Sequence, residues 1–398
     1  MSGEKMIVVT NVFGPLNKGD WELFSRLVQA LQERLPAYTL GAIARDKELT
    51  ESYFPDVQIG EQIGKVTNAG ALGRLQIMFY IVISLLSVRL RIFEFLLPVQ
   101  QRKSLDMLRR ASLVVACPGG FLEDSSKSYL THLVQLIISI WLGKKLVLAP
   151  MSVGPISGFF SRSVLKYVLS RCDKIYVREL YSKDFVEGLG LQCVISDDIA
   201  FMLINEVDTD LIVEKKWIAC TVIEWSFPLS DEKALVRARY IGAMIDSLNY
   251  LQEKFGLDVY FIRQVHSDMP AILEVAKGVK GGYRIGDESQ DPLGVVSVLR
   301  SSCVVVASRF HSYIFSMAAR CPGVAISYLP KTTGMLKMYD LDDYCLDIYT
   351  LNSRQIIAAV EAVYLNADIY RAKIDEVGAR VKVSSSDFIN SLSALLEG

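Results

Sequence analysis

In this 398-residue chain the residues best suited to chemistry are Arg309 and His311, two positions apart in Val304-Val305-Val306-Ala307-Ser308-Arg309-Phe310-His311-Ser312. A guanidinium presents a rigid fork to carboxylate or phosphate. An imidazole is the side chain that titrates nearest neutrality. Together they suit an anionic substrate and a proton transfer. A plainer reading of R-x-H also exists, in which Arg309 caps a neighbouring element and His311 merely starts a helix. Other polar residues fall at similar points: Asn17, Gly19 and Asp20, Gly119 and Gly120 followed by Asp124, Arg178 with Glu179, His266 with Asp268, and Lys331 after Pro330. Each has two readings. Gly119-Gly120 is a tight turn, or backbone that lets an anion reach the next helix's free N–H groups. Asp20 is an N-cap or a catalytic carboxylate. Arg178 pairs with Glu179 or Asp184, or binds an anion. His266 and Lys331 are exposed loop residues or ligand contacts.

The elements that must position these residues read as alternating strands and helices. Short β-branched runs predict strands at residues 6–12, 38–43, 113–116, 145–149, 174–177 and 192–195, with amphipathic helices between them. A polar stretch at 205–216 breaks the alternation, and the same pattern restarts at Trp217. The expectation is an α/β chain of two Rossmann-like domains, 1–210 and 211–398, with parallel sheets facing a central cleft and the C-terminal helices packing back on the first domain. In such sheets ligands bind beyond the carboxyl ends of the strands, where Arg309 and His311 fall.

Composition excludes several classes. The net charge of −1 argues against a nucleic-acid partner held by bulk charge. Seven scattered cysteines, none spaced as C-x-x-C, suggest neither a disulfide framework nor a zinc site. Three histidines are too few for a polyhistidine metal centre, so no metal is expected. The dinucleotide, P-loop and nucleophile-elbow signatures are absent. The first residues lack the basic and apolar regions of a signal peptide, giving a cytoplasmic expectation.

Taken in order, the pieces resemble the polysaccharide pyruvyl transferase family. They are Asn17-Lys18-Gly19-Asp20, Pro118-Gly119-Gly120 with Asp124, residues 150–155 (PMSVGP), Val177-Arg178-Glu179 with Ser182, Ser196-Asp197-Asp198, Ser308-Arg309-Phe310-His311, and Ile326-Ser327-Tyr328 with Lys331. Two positions depart from the family pattern. Trp21 stands where an acidic residue is frequent, and Cys117-Pro118 ends the strand before Gly119. The resemblance implies a glycosyltransferase-B-like fold and transfer of pyruvate from phosphoenolpyruvate, as co-substrate and without other cofactor, onto two hydroxyls of a sugar as a cyclic ketal. It implies His311 as general acid and Arg309, Arg178, Lys331 and His266 on the donor, with Gly119 and Gly120 beside it. Asn17, Asp20 and Asp124 fall on the acceptor side, where a carboxylate would deprotonate a hydroxyl. A nucleotide-sugar glycosyltransferase of the same architecture is the alternative, and a non-catalytic glycan-binding protein is a third reading.

One stretch has no place in that chemistry. From Gly70 to Pro98 the chain is strongly apolar, with no charge between Leu75 and Val88. Those residues are too few to span a bilayer, which takes about twenty. Ser84, Ser87, Arg91 and Glu94 recur at helical spacing and predict one narrow polar stripe on an otherwise apolar helix. From Lys65 to Arg110 eight basic residues, Lys65, Arg74, Arg89, Arg91, Arg102, Lys103, Arg109 and Arg110, stand against Glu94 and Asp106. The expectation is peripheral contact with the inner face of the cytoplasmic membrane, or with a polyprenyl-linked acceptor. Burial between the sheet and its neighbours, or a dimer contact, is the plain alternative.

Overall fold

The computed structural model describes residues 5–66, 70–123, 129–207 and 213–397, the side chains of Leu130, Pro330 and Lys331 apart. The chain divides into two compact units. The first takes residues up to Pro15, Leu23–Ile199 and the chain from Ser384 onward; the second takes Leu16–Glu22 and Ala200–Val383.

Among the described residues, the first unit holds seven parallel strands: β1 (Met6–Val12), β2 (Thr39–Ala44), β3 (Gln58–Glu61), β4 (Ala111–Ala116), β5 (Lys145–Met151), β6 (Lys174–Val177) and β7 (Val194–Ile195). Their order is β3-β2-β1-β4-β5-β6-β7. The second unit holds β8 (Trp217–Thr221), β9 (Asp258–Phe261), β10 (Tyr283–Ile285), β11 (Ser302–Ala307), β12 (Gly323–Ser327) and β13 (Cys345–Asp347). These are also parallel, in the order β10-β9-β8-β11-β12-β13. Counted within each unit, both begin 3-2-1-4-5-6, the doubly wound order. The order reverses between β1 and β4 in one sheet and between β8 and β11 in the other.

The central strands β1 and β11 are buried at every residue, as expected for parallel strands covered on both faces. The helices between them start and stop on local signals. Asp291 caps the helix Pro292–Arg300 by accepting the Gly294 N–H at 2.7 Å, ahead of a proline at the first helical position. The long helix Lys233–Phe255 ends on Gly256, whose φ of 65° is the left-handed conformation that closes helices. Strands β3, β10 and β13 are not expected from sequence. Their segments QIGE, YRI and CLD are three or four residues long and have no legible alternation.

The boundary between units lies at Ile199/Ala200, before the polar stretch that marked it in the sequence. The 3-10 turn Ile199–Asn205 is the reason. Its Phe201 ring packs edge-on against Tyr339 at 4.9 Å, and Asn205 donates to the Gly378 carbonyl at 2.9 Å, both inside the second unit. At the other end, Ser384 donates to Asp197 at 2.6 Å and Tyr176 to Ser391 at 2.7 Å, so the C-terminal segment belongs with the first sheet.

The apolar stretch forms the helix Gly70–Arg89 followed by a 3-10 turn, Arg91–Leu96. The expected polar stripe does not form. Arg91 and Glu94 fall in the turn, beyond the helix, and Ser84 and Ser87 are fully buried against the first unit.

Candidate active site

In the second unit, β11 delivers the chain to the switch point. Its last residues sit beside β8, with Ala307 paired to Thr221. The Ser308 N–H then donates to the Thr221 carbonyl at 3.3 Å, and the Arg309 N–H to Thr221 Oγ1 at 3.2 Å. Tyr240, wholly buried, accepts the Ile223 N–H and donates to Ser308 Oγ at 2.8 Å. These bonds fix Arg309 in extended conformation as the cap residue of the helix Phe310–Ala318, which places His311 in that helix's first turn.

The guanidinium is aimed by Asp268. Arg309 Nε donates to Asp268 Oδ2 at 2.8 Å and Nη2 to Oδ1 at 2.5 Å, while Oδ1 also accepts the Glu224 N–H at 3.1 Å. Asp268 is 1% exposed. Burial works against the charge on Arg309, but the Asp268 bonds outweigh it and its pKa is raised. Two of the five guanidinium N–H groups are thereby committed to Asp268, and a side-chain hydrogen bond with Tyr328 adds to the stabilisation of the charge. The Tyr328 ring lies 5.8 Å from Cζ.

His311 lies against the first turn of the helix that follows β1, Lys18–Arg34. A methyl group placed on Gly19 would stand 2.3 Å from His311 Nδ1, so the imidazole occupies the space that only glycine leaves open. That segment, Leu16–Glu22, which includes the start of the first helix, is part of the second unit. Asn17 forms an antiparallel bridge with Val265, and the Lys18 N–H donates to the Gln264 carbonyl. Gln264 in turn accepts from Ser312 at 2.9 Å. Lys18 Nζ is buried among the carbonyls of Glu288, at 2.8 Å, and Gln290. Burial pulls its pKa down to about 8, with Glu288 and Asp287 opposing.

Asp20 is not the cap of the first helix, which begins at Lys18 and carries Asp20 in its first turn. Asn17 does the capping work, its Oδ1 accepting the Gly19 N–H at 3.0 Å. His266 is exposed; its Nδ1 lies 2.5 Å from Glu288 Oε1, and Arg263 holds the other carboxylate oxygen at 2.9 Å. Lys331 opens the helix Pro330–Lys337, its side chain outside the described set, and Asp124 lies outside the described residues.

A second cluster lies in the first unit, and it joins motif residues far apart in sequence. The Ser152 N–H donates to the Gly119 carbonyl at 2.9 Å, and the Gly154 N–H to the Leu122 carbonyl at 2.8 Å. Ser152 Oγ accepts from Arg178 Nε at 2.9 Å and donates to Glu179 at 3.0 Å. Ser182 accepts the Val153 N–H at 2.7 Å and donates to Glu179. Arg178 Nη1 donates to Asp198 at 2.6 Å. Arg178 is 4% exposed, and Glu179 and Asp198 are fully buried. Buried charges persist only when paired and hydrogen-bonded, and this set satisfies that condition. It fastens the Gly119-Gly120 loop to the ends of β5 and β6. Arg178 thus belongs to the first unit, and Arg309, His266 and His311 belong to the second.

Several residues of these clusters carried no role in the sequence. Asp268 was visible as a polar residue after β9, but its pairing with Arg309 spans two crossovers. Lys18 was one residue of a motif with no geometry. His132, outside both clusters on the helix Tyr129–Trp141, stacks on Phe121 at 4.4 Å and gave no signal at all.

Two Rossmann-ordered units, with an arginine and a histidine at the switch point of the second, define a glycosyltransferase-B-like protein. The fold is similar to that of UDP-GlcNAc 2-epimerase from Neisseria meningitidis bound to UDP-GlcNAc, with TM-score 0.61 at 11% identity over 97% of this chain and 100% of that one. It is similar also to Anabaena Alr3699/HepE in complex with UDP and glucose, with TM-score 0.59 at 12% identity over 98% and 100%. The sequence narrows the class. The profile of the polysaccharide pyruvyl transferase family matches residues 22–330. Amylovoran biosynthesis protein AmsJ of Erwinia amylovora is 25% identical over 286 residues, covering 66% of this chain and 67% of that protein. The chain belongs to the polysaccharide pyruvyl transferase family, and is a pyruvyltransferase of glycan biosynthesis.

Proposed function

We propose that the enzyme takes phosphoenolpyruvate as donor and sets its pyruvate across two hydroxyls of one sugar as a cyclic ketal, releasing phosphate. The observation that carries this reading is the pairing at the β8/β11 switch point: an arginine oriented by Asp268, one residue from a helix whose first turn holds His311. The chemistry needs both. A proton delivered to the enol carbon C3 leaves C2 cationic, and the first sugar hydroxyl bonds to C2. Phosphate departs with the C2–O electron pair, and the second hydroxyl closes the ketal. Of the two hydroxyl protons released, one replaces that spent on C3 and the other leaves with phosphate. The scheme calls for no metal and no other cofactor.

His311 is the general acid in this scheme. The guanidinium of Arg309, with Lys331, holds the donor's carboxylate and phosphate. His266, oriented by Glu288, belongs to the same donor side. Asp20 or Asp124 takes the acceptor proton, and Asn17 caps the helix whose first turn carries Asp20. Arg178 contributes by keeping the Gly119-Gly120 loop in place, its own charge being spent on Asp198 and Glu179. The acceptor is a sugar on a polyprenyl-linked precursor of a cell-surface polysaccharide, handled on the cytoplasmic side of the membrane. The relative named for amylovoran biosynthesis supports a polysaccharide product.

The test is phosphate release from phosphoenolpyruvate against a panel of lipid-linked and synthetic glycosides, with the ketal identified by mass. Turnover of a UDP-sugar with no phosphate released from phosphoenolpyruvate would replace this reading by a glycosyltransferase.

A further inference from the structure

The helix Gly70–Arg89 is oriented the wrong way round for water. It buries Ser84 and Ser87 and turns Leu72, Leu75, Phe79, Val82 and Leu86 outward; Leu75 is 68% exposed. Those five recur at steps of three and four residues, so they form one continuous face of the helix. The 3-10 turn Arg91–Leu96 and the residues after it extend the apolar surface with Ile92, Phe95 and Val99, Phe95 being 72% exposed. Exposed apolar surface this continuous marks an interaction site.

The helix is long enough to cross a bilayer, yet its inner face is fixed to the globular unit. Ile81 and Ile83 join the core of the first sheet, and Arg109 Nη2 donates to the Ser87 carbonyl at 3.1 Å. A helix pinned along one side cannot be surrounded by lipid, so whatever covers it approaches from one direction.

Charge selects the occupant. Arg74, Arg89, Arg91 and Lys103 are exposed around the patch. The acidic residues of this region, Glu94 and Asp106, are both paired with Arg109, at 2.5 and 2.8 Å. Two carboxylates share that one guanidinium, so against the four exposed cations the rim stays basic on balance. A second copy of the chain would bring like charges together across any two-fold contact, whereas an anionic bilayer complements the rim and accepts the apolar face.

We infer that the outward face of Gly70–Arg89 and Arg91–Leu96 is a docking surface for an anionic lipid bilayer, lying flat in the headgroup region with the exposed arginines on the lipid phosphates. The surface rests on the lipid-linked acceptor proposed above only for its purpose; its geometry is independent of the donor chemistry.

Flotation with phosphatidylcholine vesicles, with and without phosphatidylglycerol, tests this, with light scattering in the absence of lipid. The wild-type chain is expected to float with the anionic vesicles and to be released by high salt. Phe79→Glu/Val82→Glu/Leu86→Glu changes exposed positions only, so it should melt with the wild type and lose at least about tenfold in vesicle binding. Arg89→Glu/Arg91→Glu leaves the apolar face intact, and each arginine lost should weaken anionic binding about fivefold. Should the triple variant misfold, this second variant decides. Turnover on a soluble glycoside, measured alongside, is expected to survive both changes, which separates this test from that of the reaction. Wild-type chain that ignores anionic vesicles overturns the proposal. So does a wild-type dimer that the triple variant turns into monomer without any vesicle binding, which would make the patch a contact between copies.

Discussion

Replacing Asp268 tests the centre of the site directly. Its carboxylate accepts three hydrogen bonds, from Arg309 Nε at 2.8 Å, Arg309 Nη2 at 2.5 Å and the Glu224 N–H at 3.1 Å, and it is 1% exposed. Removing one partner of a buried ion pair costs about 3–5 kcal/mol, because the other charge is left uncompensated. The Arg309 side chain retains 18% of its exposure, so water relieves part of that cost and the lower end applies to Asp268→Ala. A loss of ~3 kcal/mol in a unit of this size lowers its melting temperature by about 6–12 °C. Asp268→Asn keeps an acceptor for the Glu224 N–H and should lose roughly half as much. Because Asp268 acts through Arg309, the donor should feel the change through binding. The KM for phosphoenolpyruvate should rise by at least about tenfold, with a smaller fall in kcat. The double variant Asp268→Asn/Arg309→Lys should cost less than the sum of its parts, since both remove one interaction. The assays are thermal unfolding followed by circular dichroism and steady-state phosphate release. An Asp268→Asn protein that melts with the wild type and keeps its KM would refute the assignment of Asp268 as the residue that orients Arg309.

Arg309→Lys keeps the charge but cannot span both Asp268 oxygens, and should slow turnover on the order of a hundredfold; unchanged phosphate release would remove Arg309 from the donor site. His311→Ala and His311→Gln should lower kcat by roughly a hundred- to ten-thousand-fold with modest change in calorimetric affinity for the donor. Loss of donor binding instead would make His311 a binding residue and direct the search for the acid to His266. In the first unit, burial and then Arg45 push the pKa of His132 down to about 3, against about 6.5 when unfolded. The unfolded chain binds the extra proton between those values, so stability is full above about pH 6.5 and declines as pH falls toward about 3. The loss is about 2 kcal/mol at about pH 5, and urea melts of His132→Gln should lack that part of the slope; an unchanged slope would show that another group carries it.

Much of the fold was legible from residues 6–12 and 302–307 alone. Unbroken β-branched runs bounded by helical periodicity admit few arrangements other than parallel strands covered on both faces, and β1 and β6 match their sequence boundaries. The positions of Arg309 and His311 after a buried strand followed from the same logic, because side-chain periodicity is a local property of the backbone. The edge strands β3, β10 and β13 were not legible, since edge segments of three or four residues bury too little on either face to impose alternation.

What the tertiary structure alone decided is which polar groups meet. Asp268 and Arg309 stand 41 residues apart, and Arg178 and Asp198 stand 20 apart; no local rule couples such pairs, and each forms because parallel crossovers return the chain to the same sheet edge. Only the fold assigns the segment Leu16–Glu22, which follows the first strand, to the second unit, where Gly19 leaves room for His311. The apolar helix shows the division most plainly. Its composition announced an apolar surface, but a helix apolar on most sides does not specify its own rotation. Packing on the first sheet set that rotation, turned the serines inward and left the leucines and phenylalanines facing out.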